Sequence, residues 1–213
     1  MTTEGKRRAR GRSADPARTA RTRAAILQAA LATFLERGFE GARMADVASR
    51  AGLAKGTLYL HFADKTALFE FVLRELISEP LSRFRAAPPA PDETPREALE
   101  RLVLPLLRDL ERSGRATVLR LILVEGSRFP ELAAMHRRLV IDPVMAAIRT
   151  KVQAAADAGK PELLPLARFP QLMAAPIVMA TVWNGLWSGR DPLDTEAVFS
   201  AFLDLVFGPS PAR

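Results

Sequence analysis

Met44 to Lys65 reads MADVASRAGLAKGTLYLHFADK, and this stretch decides the fold. Met44, Val47 and Ala48 recur at helical spacing, and the pattern stops at Gly52. A second short segment follows, in which Leu58 and Phe62 stand four apart and make one apolar edge. Two short amphipathic helices joined by a tight glycine-containing turn are the grammar of a helix-turn-helix, whose second helix enters the major groove of DNA. Thr57 and His61 are also four apart and are rotated about 100° from that edge, so they are expected to face outward. Tyr59 lies on the other flank. Lys55 opens the second helix, where the backbone dipole already attracts phosphate, and Lys65 opens the next helix with the same advantage. Gly56 leaves room for the helix start to approach a nucleic-acid backbone.

The charge distribution points the same way. Residues 1–62 hold 12 Lys and Arg against 5 Asp and Glu, a net of +7, and the rest of the chain holds 19 against 19. The whole formal charge of +7 therefore sits in the segment that would meet phosphates. A sequence pI near 10.6 favours a polyanionic partner, either nucleic acid or an anionic membrane surface. The absence of cysteine excludes disulfides and Cys-ligated metal, and two histidines give little basis for a His metal or nucleophile site. There is no Gly-rich phosphate loop, HExxH or GxSxG motif, so the sequence predicts neither an enzyme nor a cofactor. The basic N-terminus lacks an apolar core and is not read as a secretory signal.

Outward from the motif, residues 1–20 carry Lys6, Arg7, Arg8, Arg10, Arg12 and Arg18 with almost nothing apolar, which predicts a disordered basic arm. From Thr22, the residues Ile26, Leu27, Ala30, Leu31, Phe34 and Leu35 repeat at helical spacing up to a stop at Gly38. Asp64 is a candidate cap for a helix over Asp64–Leu81, with Leu68, Phe69, Val72, Leu73 and Leu76 on its apolar face. The proline-rich run 86–95 reads as a loop, and Thr94-Pro95 with Glu97 forms a capping box. Pro105 is expected to bend the helix that follows. Later helical segments run about Val118–Val124, Glu131–Asp157, Leu163–Trp187 and Thr195–Phe207. No segment alternates with period two, so the chain is expected to be all-α with about nine helices. Residues 169–189 carry no charge and are long enough to span a bilayer, where roughly 20 apolar residues suffice. Pro170, Pro176, Asn184 and Gly185 argue instead for a helix buried in protein.

Residues 22–73, containing AAILQAALATFLERGFEGARMADVASRAGLAKGTLYLHFADKTALFEFVL, strongly resemble the DNA-binding domain of TetR-family transcriptional regulators. The resemblance rests on the spacing of Phe34, Gly38, Phe39, Asp46, Ala48, Ala51-Gly52, Gly56-Thr57-Leu58-Tyr59, Phe62 and Lys65. It implies that Lys55, Thr57, Tyr59 and His61 occupy DNA-contacting positions and that Lys65 binds phosphate. The chain departs from the family where Ser or Thr often stands, with Arg43 and Ala54 in those places. Loss of a capping hydroxyl costs about 1 kcal/mol, and Arg43 is expected to contact phosphate in compensation. Taken singly, Tyr59 also fits a half-buried packing aromatic, and His61 fits a helix-end residue that offsets the dipole.

The expected organisation is a basic arm (1–20), a helix-turn-helix domain (21–66) and an effector-binding and dimerisation domain (67–213). The segment Leu163–Trp187 is apolar nearly all round and must be buried on more than one side. The family resemblance implies that the last two long helices pair with those of a second copy, with Ile177, Ala180, Trp187, Phe199, Phe202 and Val206 as candidates. It also implies an effector pocket, for which Leu106, Leu121, Val124, Phe129, Met135, Phe169, Met173 and Trp183 are candidates, with Glu125, His136 and Asp142 available to orient a polar group. The expected function is that of a cytoplasmic, homodimeric, ligand-responsive repressor on palindromic double-stranded DNA, with no membrane partner. The competing expectation is a non-specific DNA-packaging or membrane-surface protein that acts through its charge.

Overall fold

The computed structural model describes residues 16–87, 93–157, 159–160, 163–187 and 189–209. Among the described residues the chain is helical and carries no strand, in the order α1 (Pro16–Gly41), α2 (Met44–Arg50), α3 (Lys55–His61), α4 (Lys65–Ala86), α5 (Pro95–Arg108), α6 (Arg115–Glu125), α7 (Pro130–His136), a π-helical segment (Arg137–Ile141), α8 (Asp142–Asp157), α9 (Leu164–Arg168), α10 (Gln171–Trp187) and α11 (Thr195–Phe207). The all-α expectation holds. Two stretches that read as single helices are divided. The π-helical segment separates α7 from α8, and Phe169-Pro170 separates α9 from α10 because Pro170 has no N–H to continue the ladder.

Helix α1 begins at Pro16, several residues before the apolar pattern starts, so Arg18 and its neighbours are helical. Proline suits the first helical position, and the Ala and Arg residues that follow are good helix formers. The rest of the predicted arm, residues 1–15, lies outside the described residues. Gly38 breaks α1 as its sequence position predicts, with φ 67° and ψ 179°. The Asp64 carboxylate accepts from the Ala67 N–H at 2.7 Å. The Thr94 capping box forms as read, with Glu97 N–H donating to Thr94 Oγ1 and Thr94 N–H donating to Glu97 Oε2 at 2.8 Å.

Two apolar cores result. The first joins α1, α2 and α3 to the front of α4 through Phe34, Phe39, Val47, Leu58 and Phe69, and it also takes in Val118, Leu121, Leu132 and Met135 from α6 and α7. Phe34, Phe39 and Phe69 pack with ring centroids 5.5 to 5.9 Å apart, in the edge or offset geometries that aromatic quadrupoles favour. The second core holds Phe84 at the far end of α4 with Leu107, Ile148, Met173, Phe199 and Leu203. Helix α4 therefore runs through both. Buried Arg96 fastens α5 to the last helix, donating to Asp204 Oδ1 at 2.7 Å and to the Gly208 carbonyl at 2.5 Å. Arg108 adds a bidentate pair with Glu196. No described helix is long and apolar enough to cross a membrane, and α10, which spans most of the charge-free run, has 17 residues.

Candidate nucleic-acid interface and ligand cavity

The turn between α2 and α3 is closed by backbone alone. Gly52 takes φ 68°, its N–H bonds to the Ser49 carbonyl, and Leu53 N–H bonds to the Ala48 carbonyl at 2.9 Å. That pattern satisfies carbonyls at the end of α2 and needs a residue at ease in the left-handed region. Neither α2 nor α3 has a side-chain cap, since Arg43 and Ala54 hold the cap positions. The two departures noted in the sequence are thus real absences of a capping group. Leu58 is fully buried and seats α3 on the first core, while Phe62 is half-buried with its ring centroid 5.0 Å from that of Phe71.

With Leu58 inward, helical geometry puts Gly56 and Leu60 on the opposite crest, about 160° away. Leu60 is 87% exposed and Gly56 has open space around it. Thr57 and His61, read as facing outward about 100° from the inward edge, lie beside this crest. They form one flank, with Thr57 half-buried and His61 exposed, and Lys55 and Tyr59 form the other. Leu60 went unnoticed in the sequence although it is two residues from the inward Leu58, a separation that reverses direction on a helix. Tyr59 is exposed, and the Lys55 ammonium sits 5.8 Å from its ring centre.

Around this crest the acidic groups are neutralised and two cations are not. Asp46 pairs with Arg37, Glu36 pairs with Arg50 through two 2.7 Å bonds, and Glu40 pairs with Arg128. The Arg50 bond holds the Glu36 carboxyl below its ordinary pKa. Among the described residues, Arg43 and Lys55 have no carboxylate partner. Lys65 is placed differently from the expectation of a free phosphate-binding lysine. Its ammonium donates to the Glu40 carbonyl at 2.9 Å and lies 4.6 Å from the centre of the Phe39 ring, and burial lowers its pKa against the raising influence of Glu125 and Glu40. It therefore ties the start of α4 to the end of α1, with two N–H donors left.

The ligand candidates scatter. A partly open cavity of about 200 Å³ lies between α4, α5, α8, α10 and α11, and of the eight candidates only Leu106 and Met173 line it. Leu121, Phe129 and Met135 belong to the first core, because α6 and α7 pack on α1 and α4. Val124 and Phe169 are exposed. Trp183 donates its indole N–H to the Asp191 carbonyl at 2.7 Å and stacks near Trp187, outside the cavity. Glu125 does not reach the cavity either; its carboxylate accepts from the backbone N–H groups of Phe39 and Glu40 at the break in α1. Asp142 is at the surface beside Arg137, and His136 is buried in α7 with its pKa lowered by that burial. Arg115, at the cavity wall, was missed; an arginine opening a helix carries no local signal of where its long side chain ends.

The dimer candidates divide as well. Ala180 and Phe199 are buried within the chain, Ile177 lines the cavity, and Phe202 and Val206 are half-buried against the second core. Trp187 is at the surface. The exposed apolar face of α10 is instead Leu172, Met179, Val182 and Leu186, and Leu205 on α11 is 87% exposed.

Residues 26–72 match the family described as bacterial regulatory proteins, tetR family. The chain is 38% identical over 97 residues to the HTH-type transcriptional regulator RutR of Escherichia coli strain K12, a match covering 43% of each protein. The similarity thus spans less than half the length of that relative. Solved structures match across more of the chain. A transcriptional regulator from Rhodococcus sp. Rha1 is 26% identical with a TM-score of 0.65, covering 89% of this chain and 99% of that one. The Bacillus subtilis regulator FadR, in complex with stearoyl-CoA, shares the fold at a TM-score of 0.66 and 17% identity, covering 88% of this chain and 99% of that one.

Proposed function

We propose that the chain is a transcriptional regulator of the TetR family, a cytoplasmic homodimeric repressor that binds a palindromic operator and leaves it when a small hydrophobic effector enters the cavity. The observation that carries this reading is the exposed surface of α3, with Gly56 and Leu60 on its crest and Lys55, Tyr59 and His61 on its flanks, together with exposed Arg43, which like Lys55 has no carboxylate partner among the described residues. In the groove, Thr57, Leu60 and His61 meet base edges, Tyr59 reaches phosphate, and Lys55, Arg43 and the spare donors of Lys65 hold the backbone. A dimer requires two such helices roughly 34–36 Å apart, and the apolar faces of α10 and α11 supply the contact between copies. Release follows from α4. Phe84 lines the cavity at one end of this helix and Phe69 anchors the DNA-binding core at the other, so a ligand that displaces Phe84 shifts α3 against its twin.

Selection of bound sequences from a random double-stranded pool, at physiological salt, tests the reading. A palindromic motif is expected. Binding without an enriched motif, lost as salt rises, would leave only charge-driven adsorption to polyanions. Lys55→Ala and Arg43→Ala refine the test. Each is expected to weaken binding evenly across sequences and to reduce the log–log salt slope by about one. An unchanged slope would remove that residue from the phosphate contacts.

A further inference from the structure

Arg115 is the one charged group among the described residues lining the apolar cavity, whose walls are otherwise hydrocarbon from side chains such as Ile77, Phe84, Val103, Ile148 and Met173. Its side chain is only 13% exposed. Its Nη2 donates to the Leu106 carbonyl at 2.9 Å, and the Asp109 carboxylate stands 3.9 Å away. A guanidinium carries five N–H donors, and among the described residues Nε and Nη1 have no acceptor. Burial pulls the Arg115 pKa down, opposed by the carboxylates of Asp109 and Glu79, and the group remains a cation. These spare donors are not sealed from solvent, and an anion in the cavity would complete the shell of this partly dehydrated cation.

We infer that the effector is a compact apolar acid whose hydrocarbon body fills this cavity and whose carboxylate takes the free donors of Arg115. The inference rests on reading the cavity as the effector site. A carboxylate meets a guanidinium through two parallel bonds, which a neutral amide or alcohol cannot do with the same strength. The volume, about 200 Å³, lies below the roughly 300 Å³ at which drug-sized sites begin, and it matches a short chain or a single ring held between these walls.

The test titrates the 213-residue chain with hexanoate, octanoate and phenylacetate and with their primary amides, reading binding by calorimetry and, separately, affinity for the selected operator. At least one acid is expected to bind about tenfold tighter than its amide. Arg115→Gln should erase that preference while leaving amide binding in place, and Arg115→Lys should restore part of it. Ala174→Phe, which adds bulk to the α10 wall of the cavity and leaves Arg115 itself unchanged, should abolish binding of acid and amide alike. The inference falls if no acid outbinds its amide, if Arg115→Gln keeps the preference, or if Ala174→Phe leaves binding unchanged. Acids that bind through Arg115 without loosening the operator would uphold the acid site and remove the effector reading. Amides that release the operator as well as the acids do would keep the effector reading and remove the inference.

Discussion

Gly38→Ala is expected to lower the free energy of unfolding by about 3 kcal/mol, an unusually large loss for a single added methyl. Two causes combine. At φ 67° and ψ 179°, a region essentially reserved to glycine, a side chain is strained by about 1–3 kcal/mol. The added Cβ would also collide with Glu125 Oε1, so the carboxylate must move. That carboxylate sits there because α1 has just broken. Oε1 accepts from Phe39 N–H at 2.8 Å and Oε2 from Glu40 N–H at 3.1 Å, and losing hydrogen bonds to a charged acceptor costs about 1.5–3 kcal/mol. Glu125→Ala alone should therefore cost about 2 kcal/mol. In that background Gly38→Ala should cost only its backbone strain, about 1–3 kcal/mol, because the two residues share one interaction. Chemical denaturation of the four proteins checks this. Equal costs of Gly38→Ala in both backgrounds would show that the glutamate does not need the glycine. The clasp also has a functional side. Together with the Arg128–Glu40 pair it joins the end of α6 to the helix-turn-helix, so a shift of α6 reaches the DNA-binding core without passing through α4.

Why the sequence exposed one half of the molecule and concealed the other follows from where the information lies. The helix-turn-helix is specified within about twenty residues: the Leu58–Phe62 spacing, the positive-φ Gly52 and the Asp64 cap are all local, and each is found in the structure. The cavity and the outer face depend on which helix packs against which. Met173 and Leu172 are adjacent and equally apolar, yet one faces the cavity and the other faces solvent. On a helix that is apolar all round, periodicity cannot choose between them. Phe199 fitted the expected contact between copies for the same reason, but the Arg96–Asp204 and Arg108–Glu196 ties draw α11 onto α5 and turn Phe199 inward. Glu125 had no local mark at all. Its partners lie 85 and 86 positions away, and only the fold brings them together.

The double variant Leu186→Glu with Leu205→Glu is expected to convert the protein to a folded monomer and to weaken operator binding by about 10²- to 10⁴-fold. Leu172, Met179, Val182 and Leu186 follow the three-four spacing of a helix–helix seam, and all four are exposed in the single chain. Leu186 is 66% exposed and Leu205 more so, and burying each leucine against a second copy contributes roughly 1.5–3 kcal/mol. Two-fold symmetry counts every such contact twice, and it would also bring each introduced carboxylate into an apolar seam. An unpaired buried charge is more costly than the lost leucine contact, so the dimer should fail rather than loosen. The substituted positions are exposed in the chain itself, which leaves the protomer's own cores intact, and circular dichroism should show unchanged helix content. Sedimentation then reads the mass. A monomer retains one recognition helix, so binding to an isolated half-site should persist at the level expected of a single set of phosphate contacts, while the gain from joining two half-sites disappears. A protein that stayed dimeric would place the contact elsewhere on the surface. A monomer with undiminished operator affinity would mean that one recognition helix suffices, and the palindromic reading would fall with it.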